Sequence, residues 1–260
     1  MNPTDNNGFR VPLFSIITVC YNAATTIAPT IESVDAQTCR LYEHIVVDGA
    51  STDGTQDFLS AHTNPLRRVV SEPDRGIYDA MNKGLGMARG EYVVFLNAGD
   101  SFHSPETLQR LADVAMDRDF PGIIYGQTDL VDHTRQRIGE RHLRAPETLT
   151  YKSFANGMLV CHQAFVALRR ITAPFDLRYR FSADYDWCIR CLQHSRRNEY
   201  VPDVLVDYLN EGATTANHRK SLMERFRIMS RYYGFWPTVC RHFGFIPRYL
   251  KFKSRTGNKF

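Results

Sequence analysis

Two carboxylates in this sequence close apolar runs. Asp48 ends His44-Ile-Val-Val-Asp48, and Asp100 ends Tyr92-Val-Val-Phe-Leu-Asn-Ala-Gly-Asp100. Runs of this kind suit strands covered on both faces, and in open α/β sheets ligands collect beyond the carboxyl ends of the strands. Gly99 lets the chain turn sharply before Asp100. A hard divalent cation, Mg²⁺ or Mn²⁺, bridging Asp100 and a diphosphate is the chemistry such a strand end allows, because Mg²⁺ takes few protein ligands beside phosphate oxygens. For one run alone an ordinary strand and turn is an equal reading. A third apolar run, Phe14 to Tyr21, also ends in polar residues, at Tyr21-Asn22, and that repetition favours a site.

The elements that must position these groups alternate regularly. The strand over 14–22 leads into a helix with Ile27, Ile31 and Val34 on one face. The strand from His44 to Asp48 empties into Asp48-Gly-Ala-Ser-Thr-Asp-Gly-Thr55 and a short helix over 56–61, with Asp53 as its cap. A strand over Arg67 to Ser71 precedes a helix presenting Ile77, Met81, Leu85 and Ala88, with Arg75, Asp79, Asn82 and Lys83 near its start. After the Asp100 strand, a helix over Ser104 to Met116 is predicted, with Ser104 as N-cap, Pro105 first, and Leu108, Leu111, Ala112 and Ala115 inward. Four strand-helix units in about 115 residues predict an α/β fold with a mostly parallel central sheet flanked by helices. The rhythm then breaks into short strands at Ile123 to Tyr125, Asp129 to Val131, Arg135 to His142 and Gly157 to Cys161, a mixed half that builds the opposite wall of a cleft. A helix over Ala183 to His194, opened by Ser182, and extended chain over Tyr200 to Leu209 follow.

Composition bounds the alternatives. With 43% hydrophobic residues in 260, the chain has enough apolar surface for a full core. Its longest apolar run is far short of the ~20 residues that span a bilayer, and the first ten residues lack a signal-peptide core, so a cytosolic protein with free thiols is expected. Cys188 and Cys191 have no second pair to complete a zinc site and read as helix packing. Neither a P-loop nor a dinucleotide fingerprint is present. The net charge of +4 conceals a basic end: eleven Lys/Arg and one acidic residue follow from Arg219 onward, leaving the rest acidic.

Four motifs together resemble the inverting family 2 glycosyltransferases of GT-A fold, of the kind that assemble bacterial polysaccharides. They are Ser15-Ile-Ile-Thr-Val-Cys-Tyr-Asn22, Val47-Asp-Gly-Ala-Ser-Thr-Asp-Gly-Thr55, Asp74-Arg-Gly-Ile-Tyr-Asp-Ala-Met-Asn-Lys-Gly84 and Phe95-Leu-Asn-Ala-Gly-Asp100. The resemblance implies that Tyr21, Asn22, Asp48, Arg75, Asp79, Asn82 and Lys83 face a sugar nucleotide, UDP-linked, and that Asn97, Ala98, Gly99 and Asp100 form the reduced counterpart of the family's Asp-x-Asp region. It further implies a base in Ser182-Ala-Asp-Tyr-Asp-Trp187. Displacing a nucleoside diphosphate from an anomeric carbon needs charge stabilised on the leaving group and a proton taken from the incoming hydroxyl. Residues two apart on a helix point about 200° apart, so Asp184 and Asp186 cannot share that role. Asp184 aligns with the family base, and the helix N-terminus should keep it ionised. Asn156, His162 and Gln163 are placed on the acceptor side with Asp186, and His218 is a further metal ligand beside Asp100.

The domain plan is a polar tail over 1–12, a GT-A catalytic domain over 13–215 with a nucleotide-binding half (13–117) and an acceptor half (118–215), and a basic aromatic helical extension over 216–260. Leu222, Phe226, Met229 and Tyr233 share a helical stripe, and Phe235, Trp236, Phe243, Phe245 and Tyr249 follow among Arg241, Arg248, Lys251 and Lys253. This is read as a peripheral contact with an anionic membrane near a lipid-linked or glycan acceptor, with a helix packed on the catalytic domain as its rival and nucleic acid disfavoured. A sugar nucleotidyltransferase and a non-catalytic carbohydrate- or nucleotide-binding module are the competing functions.

Overall fold

The computed structural model describes residues 12–210 and 218–244, with the side chains of 218 and 219 outside the description. The strands are β1 (Phe14–Cys20), β2 (Tyr42–Asp48), β3 (Arg67–Ser71), β4 (Tyr92–Phe95), β5 (Ser101–Phe102), β6 (Ile123–Val131), β7 (Arg137–Glu140), β8 (Phe165–Leu168) and β9 (Asn198–Leu209). The helices are α1 (Ile27–Asp35), α2 (Thr55–Ala61), α3 (Ile77–Met87), α4 (Thr107–Asp117), α5 (Ala183–His194) and α6 (His218–Tyr233). One sheet runs β3-β2-β1-β4-β8-β6-β9-β5, with β7 on β6.

The first four strands are parallel. β2 and β3 lie to one side of β1 and β4 to the other, so the order reverses beside β1 and opens a crevice at the strands' carboxyl ends. β8 runs antiparallel to both β4 and β6, whereas β6 and β9 are parallel. Alternation along the strands feeds two cores. Ile17, Val19, Val93 and Phe95 pack on one face with α3 and α5, and Phe14, Ile16, Tyr92 and Val94 on the other with α4. Phe95, Phe165 and Phe175 enclose the buried Trp187, with ring centroids 5.4, 5.8 and 5.2 Å from it.

Several boundaries differ from the sequence reading, each for a traceable reason. α4 begins at Thr107, because the Ser104 hydroxyl accepts the Glu106 N–H at 3.1 Å and holds a turn instead of opening the helix. Leu108, Leu111, Ala112 and Ala115 are buried as expected. On α3, Ile77 faces outward and Tyr78 takes its place in the core. The two short strands expected after residue 122 are one nine-residue strand, β6. Gly157 to Cys161 forms no strand: the partner of β4 and β6 is β8, four residues further on. All five cysteines of the catalytic region are buried and free, and Cys240 is free and exposed.

Candidate active site

The donor-side loops are built from strand register. Cys20 pairs with Asp48 and Asp48 with Ser71, so three side chains line up at the carboxyl ends of β1, β2 and β3. The buried Asp48 carboxylate collects the Ser51 N–H at 3.0 Å, the Ser71 hydroxyl at 2.6 Å, the Ser51 hydroxyl and the Cys20 thiol at 3.6 Å. Its oxygens are thereby committed to shaping the loop after β2. Burial and the Asp48 charge drive the Cys20 thiol far above its ordinary range. Asn22, at φ 49°, gives its N–H to the Ser51 hydroxyl at 2.8 Å and accepts the Thr52 N–H at 3.1 Å. Asp53 accepts from Ala24 N–H at 3.0 Å and Thr55 N–H at 3.1 Å, so it ties the two loops as well as opening α2.

On this frame Tyr21 stands 67% exposed. A Cβ at Gly49 would lie 2.6 Å from the Asp74 carboxylate and 3.2 Å from the Tyr21 ring, so only glycine lets the three meet. Asp74, which the sequence reading did not single out, caps the Gly76 N–H at 2.7 Å. Arg75 is bound by Asp79 at 3.0 Å, and Lys83 by Glu72 at 2.8 Å and the Pro73 carbonyl at 2.7 Å. Asn82 spends its whole amide on the Phe175 backbone, donating at 3.0 Å and accepting at 2.6 Å. Arg75, Asp79 and Lys83 thus line the start of α3, while Asn82 pins the chain ahead of α5.

A second cluster centres on Asp184, in the first turn of α5. Its carboxylate accepts the Tyr78 hydroxyl at 3.0 Å and lies 3.3 Å from His162 Nδ1. Burial raises its pKa. The His162 hydrogen bond and charge, the Arg225 charge and the Tyr78 hydroxyl outweigh that and leave it below the ordinary carboxylate range. His162 Nε2 meets Asn97 Nδ2 at 3.3 Å, and Asn97 Oδ1 is buried without a partner among the described residues. Neutral His162 accepts from the amide nitrogen; with both ring nitrogens protonated, the amide turned over puts its oxygen there. Tyr78 and Arg225 are additions to the sequence reading. Tyr78 carried a signal, since it sits one residue off the apolar stripe of α3, whereas Arg225 lies on α6 and carried none.

Asp100 is close in sequence but differently engaged. It is buried; Gln163 Nε2 donates to it at 2.7 Å and the Leu209 N–H at 3.0 Å, one to each oxygen. Burial lifts its pKa to about 6 against those two donors and the His162 and Arg135 charges. Gly99, at φ 100°, packs against Leu209, and Ala98 N–H bonds the Val19 carbonyl at 3.2 Å, so the loop after β4 is latched to β1 and β9. No group of three His, Cys, Asp or Glu side chains among the described residues is arranged to hold a metal. Each Asp100 oxygen accepts one hydrogen bond and keeps a further lone pair. The side chain of His218 lies outside the described residues.

The residues expected on the acceptor side differ in their surroundings. His162 and Gln163 are anchors of Asp184 and Asp100 respectively. Asp186 is buried behind the helix, bound by Arg190 at 2.7 Å and the Tyr232 hydroxyl at 2.8 Å, which removes it from the cleft. Asn156 ends the 3-10 turn Tyr151–Asn156, exposed.

A mostly parallel sheet whose switch-point loops converge with a helix-borne carboxylate defines a GT-A-like catalytic domain. The glycosyl transferase family 2 model matches residues 15–172, and the chain belongs to that family. It is 31% identical over 228 residues, 85% of this chain and 86% of the relative, to the PGL/p-HBAD biosynthesis glycosyltransferase of Mycobacterium bovis BCG. Its fold is similar to that of S. aureus TarS 1-349 in complex with UDP-GlcNAc, with TM-score 0.67 and 18% identity over 89% of this chain and 73% of that one. It is also similar to the mannosyltransferase PcManGT of Pyrobaculum calidifontis in complex with GDP-Man and Mn²⁺, with TM-score 0.64 and 22% identity over 85% of this chain and 64% of that one.

Proposed function

We propose that this family 2 enzyme moves a sugar from a UDP-linked donor to a hydroxyl of a lipid-linked or glycan acceptor, with inversion, in polysaccharide or glycolipid synthesis. The observation that carries the reading is Asp184: a carboxylate kept ionised at a helix N-terminus, oriented by Tyr78 and His162. In the reaction the acceptor oxygen forms its bond to the anomeric carbon as the bond to the nucleoside diphosphate breaks. Asp184 takes the hydroxyl proton, and attack opposite the leaving group inverts the centre. Tyr21, exposed over Gly49 and Asp74, supplies a platform for the base of the nucleotide, a role supported by the UDP-GlcNAc bound in the similar TarS fold.

A divalent cation in this reading would arrive largely with the donor diphosphate and meet Asp100, because a single carboxylate binds such an ion weakly by itself. Calorimetric titration of UDP with and without Mn²⁺, followed by a hydrolysis screen of nucleotide sugars, tests the proposal. Failure to bind UDP in either condition removes the donor assignment. UDP binding without hydrolysis of any donor favours the non-catalytic binding module.

The membrane contact is part of the proposal. No helix among the described residues is long and apolar enough to cross a membrane. Helical chain over 235–244 nonetheless exposes Trp236 (74%) and Phe243 (70%) with Cys240 on one stripe, next to the exposed Phe235.

A further inference from the structure

We infer that Glu224, on the C-terminal helix α6, is a positioning residue for Asp184, an inference that rests on the reading of Asp184 as the base. The backbone N–H groups that open a helix need acceptors, and the residue ahead of the helix commonly supplies one. Ser182 occupies that place before α5 but makes no side-chain cap; its hydroxyl is turned to the Ser221 hydroxyl, 3.0 Å away. The chain leading into the helix is held by a carboxylate 42 residues beyond Ser182. Glu224 Oε1 accepts the Arg180 N–H at 2.9 Å, and Oε2 accepts the N–H groups of Phe181 and Ser182 at 2.8 and 3.0 Å. Three successive amides just before the base are thus gathered on one carboxylate.

The rest of α6 is fitted to the same turn. Ser221, Arg225, Ile228 and Tyr232 recur at helical spacing, and Ile228 is fully buried in the core beneath α5. Tyr232 donates to Asp186 at 2.8 Å, and Tyr233 donates to the Tyr151 carbonyl at 2.6 Å. Arg225, whose Nε is buried without a partner among the described residues, adds its charge near Asp184. A carboxylate that must meet a hydroxyl within hydrogen-bond reach tolerates little displacement, and the amides it follows are fixed only from α6.

The experiment compares the full chain with Glu224→Ala, Glu224→Gln, Asp184→Asn and the double variant Glu224→Ala/Asp184→Asn. Donor turnover uses whichever of UDP-glucose, UDP-galactose, UDP-N-acetylglucosamine and GDP-mannose is hydrolysed fastest. Glu224→Ala should speed amide exchange at residues 180–184 at least ~10-fold, because the amides lose their acceptor. It should lower kcat at least ~10-fold with donor KM changed less than about twofold. Glu224→Gln, which keeps one acceptor oxygen, should fall between. In the Asp184→Asn background the same change should cost nothing further. Unchanged exchange at 180–184, a loss that falls on donor KM and not on kcat, or an equal kcat loss in both backgrounds overturns the inference. Wild-type turnover in Asp184→Asn alone overturns the base assignment instead, and the exchange measurement still decides the clasp if Glu224→Ala is poorly active.

Discussion

Asp184 sits where opposing influences meet: burial opposes its charge, and His162, Arg225 and Tyr78 restore it. Because its pKa is depressed, the carboxylate is fully ionised through the neutral range, and the acid limb of kcat should appear only below the ordinary carboxylate range. Asp184→Asn is expected to retain UDP affinity while lowering transfer by at least ~10²-fold, the usual cost of a lost general base. Steady-state kinetics beside calorimetry checks this. If Asp186→Asn gives that pattern and Asp184→Asn does not, the base lies on the other face of α5, against the Arg190 and Tyr232 bonds that engage Asp186.

At the scale of elements, the first β-α units are held by close packing and by a buried neutral histidine. A Cβ at Gly84 on α3 would sit inside the contact distance of Ile17 Cγ2 on β1. Alanine in place of a helical glycine gains about 1 kcal/mol of propensity, and overpacking costs about 1–3 kcal/mol. The cost should win, so Gly84→Ala is expected to lower the urea midpoint. His44 on β2 bonds the Thr18 hydroxyl at 3.0 Å and accepts from Arg67 Nε at 3.1 Å. Burial first, and the Arg67 charge second, lower its pKa to about 3. The unfolded chain therefore binds a proton that the folded chain refuses, and stability is lost as pH falls from the unfolded value near 6.5 toward 3. Between about pH 7.5 and about pH 5 this term is about 2 kcal/mol, and His44→Gln should reduce the pH dependence of unfolding by that amount. An identical dependence in wild type and variant would exclude His44 as its source.

For the whole molecule, α6 divides its labour. Ser221, Glu224, Ile228, Met229 and Tyr232 are committed to the catalytic domain, so the packed-helix reading holds for this segment. The buried face is rotated from the expected stripe, leaving Leu222 45% exposed. The aromatic surface that continues over 235–244 remains outward. Each Lys or Arg near an anionic leaflet contributes about 1 kcal/mol, so five engaged charges give roughly 5 kcal/mol, enough for reversible attachment. Trp236→Glu with Phe243→Glu should abolish cosedimentation with phosphatidylserine vesicles at low salt and leave donor hydrolysis intact. Equal, salt-insensitive sedimentation of wild type and variant would exclude the contact. Phe245, Arg248, Tyr249, Lys251 and Lys253 lie outside the described residues.

What the sequence by itself determined is what local pattern can encode. Period-two and continuous apolar runs marked β1, β2, β3 and β4, and their abrupt polar ends marked the loops that carry Tyr21, Asp48 and Asp100. The span of α5, and hence Asp184 in its first turn, was also legible, because helix spacing and a flanking serine are short-range signals. Tertiary structure decided whatever depends on a distant partner. Gly157 to Cys161 and Phe165 to Leu168 are similarly apolar, and only pairing with β4 and β6 made the second the strand. Asp100 was legible as a strand-end carboxylate, but only folding brought Gln163 and Leu209, from elements far along the chain, to donate to its two oxygens. Ser182 was placed correctly before α5, but its side chain makes no cap, and the amides of Arg180, Phe181 and Ser182 that lead into the helix are held by Glu224, a carboxylate that only folding brings there.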